Sequence, residues 1–169
     1  MRLDGYRLGE TPEPLEVTTT EEAAAVALAL ARQAARTLDI LSPQMDPRIF
    51  DTADFAEAVT RLVLRSRRAQ VRILVQDVEP VLRDGRRLVT LSQRLPSFLQ
   101  VRVPAEEYRA FNQAFIVADG TGYLHRGLAD RYEGKASFHA PARARELLRA
   151  FQPIWDTAEP DPSFRTLGV

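Results

Sequence analysis

The chain has 169 residues, 45 % hydrophobic and 27 % charged, with 23 basic and 23 acidic side chains and no cysteine. That length suits one domain with a substantial core, and zero net charge removes any global field toward nucleic acid or an anionic membrane. Without cysteine, neither a disulfide framework nor a thiolate zinc site can form.

Met1 to Tyr6 carry no basic segment followed by an apolar core, and the longest apolar stretch, Ala23 to Ala31, is too short for a bilayer. A cytoplasmic protein with no membrane span is expected. Residues 1–18, with Pro12 and Pro14 and little periodicity, read as an N-terminal arm, and residues 19–169 as a single domain. Thr19-x-x-Glu22 is a capping-box pattern before a first helix over about 20–36, whose face of Ala23, Ala27, Leu30, Ala31 and Ala34 is small enough to lie close on a sheet. Leu38 to Leu41 reads as a short strand stopped by Ser42-Pro43. Asp51 or Thr52 can cap a second helix that buries Phe55, Val59, Leu62 and Val63.

Val71-Arg-Ile-Leu-Val75 is the clearest strand, followed by a helical segment between Glu79 and Leu95 that Asp84-Gly85 can split. Phe98 to Val103 reads as a third strand. Ala114 to Ala118 and Thr121 to His125 are strand-like runs around Asp119-Gly120, a strong signal for a tight hairpin. A final helix over about 141–156 presents Ala144, Leu147, Leu148, Phe151 and Trp155, with Pro153 loosening its last turn. The order predicts an α/β fold: a mixed, mainly parallel sheet flanked by helices.

The run from residue 108 to residue 120 resembles the motif strand of the phospholipase D superfamily, where His-x-Lys-x-x-x-x-Asp runs through an aliphatic core into Asp-Gly. Asp119-Gly120 closes the run, and Phe115, Ile116 and Val117 supply the aliphatic stretch. Counting back, Asn112 holds the histidine slot and Ala114 the lysine slot. Leu38-Asp-Ile-Leu-Ser42, Phe55-Ala-Glu-Ala-Val59 and Val71-Arg-Ile-Leu-Val75 are similar to the family's first strand, helix and second strand, so the likeness covers one half of a phospholipase D-like protein over residues 19–156. In active relatives the histidine becomes a phosphohistidine, the lysine binds phosphate oxygens and the aspartate orients or tunes a histidine; two motifs are needed, from two repeats or a dimer. The family's Gly-Ser-x-Asn phosphate segment is also replaced, by Gly122-Tyr-Leu-His-Arg126.

The resemblance therefore implies a degenerate single-motif member with no catalytic residue of that type, acting as a binding or regulatory module. Two alternatives stay open. One is a phosphodiesterase-type enzyme of altered mechanism using His125 or His139, the only histidines. The other is an assembly protein, since single-motif relatives dimerise and a homodimer is admitted here. Two isolated histidines give no metal-ligand pattern, and no cofactor is implied. Arg61, Arg65 and Arg68, like Arg143, Arg145 and Arg149, read as solvated helix faces, leaving no strong nucleic-acid signal.

In parallel α/β sheets ligands bind beyond the carboxyl ends of the strands. That rule gathers Ser42, Gln44 and Asp46 after the first strand and Gln76 and Asp77 after the second. A regular hairpin brings His125 and Arg126 to the end that holds Asn112, with Tyr132 on a covering loop. The expectation is a polar pocket of Ser42, Gln44, Asp46, Asp77, Asn112, His125, Arg126 and Tyr132 for an anionic or phosphate-containing ligand. Asp119 reads mainly as a hairpin-turn residue at the far end of the motif strand.

Overall fold

A computed structural model of the chain describes residues 1–164, so the last five residues of the expected domain lie outside the described residues. Its strands are β1 (Leu15–Val17), β2 (Thr37–Leu41), β3 (Gln70–Leu74), β4 (Leu99–Arg102), β5 (Ala114–Ala118), β6 (Gly122–Arg126) and β7 (Gly134–Ser137). Its helices are α1 (Thr20–Gln33), α2 (Ala53–Arg65), α3 (Val78–Asp84), α4 (Arg86–Arg94) and α5 (Pro141–Thr157).

Capping chemistry starts the first two helices. Glu22 donates its backbone N–H to the Thr19 hydroxyl at 3.1 Å, and the Glu22 carboxylate accepts from the backbone and hydroxyl of Thr18. The reciprocal bond of the capping box thus falls one residue earlier than the Thr19 pattern implies. Phe55 donates to the Thr52 hydroxyl in the same way at 3.1 Å.

The strands form one seven-stranded sheet in the order β1-β7-β6-β5-β2-β3-β4. β2, β3 and β4 are parallel, as successive βαβ crossovers require. From β2 outward through β5, β6, β7 and β1, every pairing is antiparallel. The mixed α/β sheet expected from the element order is the sheet observed. The hairpin turns at Asp119-Gly120, both left-handed with φ of 52° and 66°, as a type I′ turn needs.

Two strands had no counterpart in the sequence reading. β1 lies in the N-terminal lead-in and pairs with β7, so part of that arm is an edge strand of the sheet. β7 begins at Gly134, where a Cβ would meet the His125 carbonyl oxygen at 2.5 Å; only glycine lets the two strands approach there. Chain tracing also makes α1 a strap: it leaves β1 at one edge of the β5–β6–β7 block and enters β2 on the other side.

Each face of the sheet has its own core. On one face Leu38, Ile40, Ile73, Val75, Ile116 and Leu124 pack with Leu30, Phe55, Leu62, Val81 and Leu88 from the four earlier helices. On the other, Leu41, Leu74, Phe115, Val117 and Tyr123 pack with Leu147, Phe151, Ile154 and Trp155 of α5. Strands covered on both sides read as apolar runs: β5 is unbroken from Ala114 to Ala118, and β3, from Val71 to Leu74, is interrupted only by Arg72, which pairs with Asp39 at 2.6 Å. Among the described residues no helix is long and apolar enough to cross a membrane.

Candidate functional site

A cleft of about 590 Å³ opens at the carboxyl ends of β2 and β3, within the size range of small-molecule sites. Three irregular segments build it. The first, Ser42 to Arg48, leaves β2 through a turn in which Met45 is left-handed (φ 48°). Its Pro43 carbonyl accepts from the backbone N–H groups of Gln76 and Asp77, which ties the ends of β2 and β3 together. The second segment leads into β5: the Gln76 side-chain amide donates to the Phe111 carbonyl at 2.6 Å and so holds residues 108–112 against the end of β3. The third is the loop from Gly127 to Glu133, which is tied down by an Ala129 N–H donated to the Asn112 carbonyl at 3.0 Å.

Ser42, Gln44, Asp46, Asp77, Asn112, Arg126 and Tyr132 all line this cleft, and His125 does not. The reason is strand alternation. On β6, Leu124 belongs to the core under the four earlier helices and Tyr123 to the core under α5. His125 follows Tyr123 onto the α5 face, while Arg126 takes the cleft face. There the imidazole sits between Gln113 (Nε2 to Oε1, 2.9 Å) and Arg143, whose guanidinium lies 3.2 Å from Nδ1. An arginine can only donate, so Nδ1 accepts and Nε2 carries the proton. Burial, and then the Arg143 charge, lower the imidazole pKa below its ordinary value. The second histidine, His139, is at the opposite end of the sheet, its Nδ1 3.0 Å from the Thr121 hydroxyl beside the hairpin turn.

Asp119 is also remote from the cleft. Its carboxylate accepts the backbone N–H groups of Ala35, Arg36 and Thr37 at 2.8–3.0 Å, fixing the loop between α1 and β2.

The electrostatic centre of the cleft is Arg126. The residue is 3 % exposed, and among the described residues its guanidinium makes one hydrogen bond, to the Arg131 carbonyl at 3.4 Å. No carboxylate ion-pairs with it among the described residues. Asp46 lies near enough to act on it but is itself engaged by Arg48 at 3.3 Å. Burial lowers the guanidinium pKa, with Asp46 opposing and Arg48 adding to the shift; an arginine stays cationic regardless. Tyr132 lies between two cations, its ring centre 4.9 Å from the Arg48 guanidinium and 5.8 Å from that of Arg126. Ser42, 2 % exposed as a residue, also lines the cleft, and its side chain has no hydrogen-bond partner among the described residues.

Arg48, Arg109 and Asp130 complete the charged lining and were not selected from the sequence. They lie on irregular segments, where no periodicity reports side-chain direction, and only their proximity in sequence to Asp46, Asn112 and Tyr132 could have suggested them. Among the described residues no group of three or more histidine, aspartate or glutamate side chains is placed to hold a metal ion.

The family described as a domain of unknown function, DUF7931, matches residues 19–167, and the chain belongs to that family. No curated protein matches it by sequence. Among solved structures it is similar to the archaeal chromatin protein TrmBL2, whose structure shows a novel mode of DNA binding. The TM-score is 0.64 at 13 % identity, over 90 % of this chain and 55 % of that one, so the chain spans about half that protein's length. It is also similar to Nuc from Salmonella typhimurium, a phospholipase D family member, with a TM-score of 0.64 at 14 % identity over 87 % and 97 % of the two chains. NucT from Helicobacter pylori aligns with a TM-score of 0.56 at 13 % identity over 88 % and 100 %. At these identities the likeness is one of fold: the α/β sheet is that of phospholipase D-like proteins.

Proposed function

We propose that the protein is a non-catalytic phospholipase D-like domain, a degenerate single-motif member whose cleft serves as a binding or regulatory site. The domain on this reading runs from residue 19 to residue 169, with residues 1–18 as an arm that lends β1 to its edge. One observation carries the reading: among the described residues, no histidine and no lysine lines the cleft. Asn112 stands at its rim in the histidine slot, and Ala114, 2 % exposed, fills the lysine slot with a methyl group. An amide cannot attack phosphorus as an imidazole does, and a covalent nucleophile normally carries most of a rate enhancement. Arg126, across the sheet from Ala114, leaves a cation at the cleft and supports retained binding of an anionic ligand.

A nucleic-acid reading draws on the DNA-binding archaeal neighbour and on the exposed arginines of α2. Both of these are engaged elsewhere, Arg61 with Glu57 at 2.8 Å and Arg65 with the Ala34 carbonyl at 2.7 Å. An assembly role as a homodimer is read from solution mass across a concentration series. Catalysis is tested with bis(p-nitrophenyl) phosphate. The expected result is no hydrolysis above buffer. Turnover that disappears in Asn112→Ala or His125→Gln would overturn the reading.

A further inference from the structure

The cleft has two features of opposite sign. At its base, Arg126 is a largely buried residue with no ion-pair partner among the described residues, and Ser42, whose side chain has no hydrogen-bond partner among them, lines the same cleft. Desolvating a charge without pairing it is costly, and a site that keeps such a charge open to a cleft is complementary to an anion. At its rim stand two exposed carboxylates, Asp77 and Asp130, and one exposed guanidinium, Arg109, none of them ion-paired among the described residues. Asp77 accepts one hydrogen bond, from the Gln44 amide at 3.2 Å. Asp130 sits on the loop that carries Tyr132.

A polyanion threaded through the cleft would meet those two carboxylates with every repeat. Like-charge juxtaposition is how binding sites reject wrong partners. A small molecule with one anionic end and one cationic end meets no such conflict. We propose that the occupant of the cleft is a small zwitterion, its oxyanion held by Arg126 and Ser42 and its ammonium group by Asp77 and Asp130. This rests on the cleft being a binding site, as proposed above, and adds the class of ligand. Tyr132, its ring centre 4.9 Å from the Arg48 guanidinium and 5.8 Å from that of Arg126, borders the anionic end. Carboxylate and phosphate monoester share the required anion chemistry. Free volume of about 590 Å³ accommodates either with a short amine arm.

Calorimetric titration of the full chain distinguishes the possibilities. The probes are β-alanine and O-phosphoethanolamine as zwitterions, propionate and inorganic phosphate as their amine-free counterparts, and a single-stranded 12-mer oligonucleotide as polyanion. One zwitterion should bind about fivefold or more tightly than its amine-free counterpart, as an added exposed ion pair provides, and the oligonucleotide should not compete. Which zwitterion wins identifies the anion. Asp77→Asn with Asp130→Asn should erase the preference for the amine while leaving the anion bound. Arg126→Gln should weaken all binding by about thirtyfold or more, as loss of a buried charge partner does. Because Arg126→Gln can disturb folding, the exposed double variant provides the independent check.

Three results would overturn the proposal: competition by the oligonucleotide, an unchanged preference in the double variant, or no binding of any probe up to about 10 mM, well above a useful Kd. Oligonucleotide binding without hydrolysis would leave the non-catalytic reading standing, whereas hydrolysis of the chromogenic diester would remove that reading and say nothing against the zwitterion.

Discussion

Ala114 and Arg126 are direct partners across β5 and β6, so they share one face of the sheet. The methyl group in the lysine slot is the neighbour that Arg126 lies against, in a small gap also walled by Ile49, Phe50 and Leu124. A lysine at 114 would place a second buried cation against the first. Asn112→His with Ala114→Lys should therefore lose about 3 kcal/mol or more of stability and stay inactive toward the chromogenic diester. Urea unfolding and a hydrolysis assay check both halves. A double variant that is as stable as the parent and hydrolyses substrate would show that the rest of a catalytic site is intact.

Asp119 organises the other end of β5. Replacing it with alanine removes the acceptor of three backbone N–H groups and places a β-carbon residue without a local hydrogen bond at φ 52°. The expected loss is about 2–3 kcal/mol, from bonds to a charged acceptor in a partly exposed site. Asp119→Asn tolerates the backbone and keeps one acceptor oxygen, and should lose less. Thermal unfolding ranks the two; a neutral Asp119→Ala would refute the anchoring role.

The His125 environment predicts acid sensitivity. Unfolded, this imidazole titrates near the ordinary 6.5; folded, its pKa is lower because burial and then Arg143 disfavour the charged form. In the window between the two values the unfolded chain binds more protons, so the His125 contribution is full above that ordinary value and is lost as pH falls through the folded one. Stability measured by urea unfolding from about pH 8 to about pH 5 spans this range. The non-titrating His125→Gln should show a shallower fall, and an identical pH profile would count against the assignment.

Leu62, fully buried between α2 and the sheet, is the test of the larger core. Leu62→Ala should cost about 2–5 kcal/mol. Denaturant unfolding indistinguishable from the parent would contradict the packing described.

Legibility followed the strength of local chemistry. Thr19 and Thr52 announced helix starts, Val71 to Val75 announced a doubly covered strand, and Asp119-Gly120 announced a left-handed turn, because each signal is set within a few residues. β1 and β7 gave no signal: Leu15-Glu-Val17 and Gly134-Lys-Ala-Ser137 are three and four residues long, and only pairing with each other and with β6 makes them strands. At the cleft, the strand-end rule collected Ser42, Gln44, Asp46 and Asp77. His125 joins them in the sequence reading because a regular hairpin returns it with Arg126 to the Asn112 end, yet one step along a strand reverses the face. Arg48, Arg109 and Asp130 lie where backbone direction is decided by tertiary bonds such as Gln76 to Phe111.

The strap formed by α1 has a consequence for how the sheet comes apart. β5, β6 and β7 are gripped at both sides by strands from the start of the chain, β1 and β2, with the helix between those strands passing across them. The block cannot peel away from a free edge, since its outer edge is already occupied and its inner edge is the centre of the sheet. Amide protons of β5 and β6 should then exchange with solvent only through openings approaching global unfolding, whereas those of β4, at the opposite margin, exchange through local fraying. One wall of the cleft is thus held with the full cooperativity of the molecule.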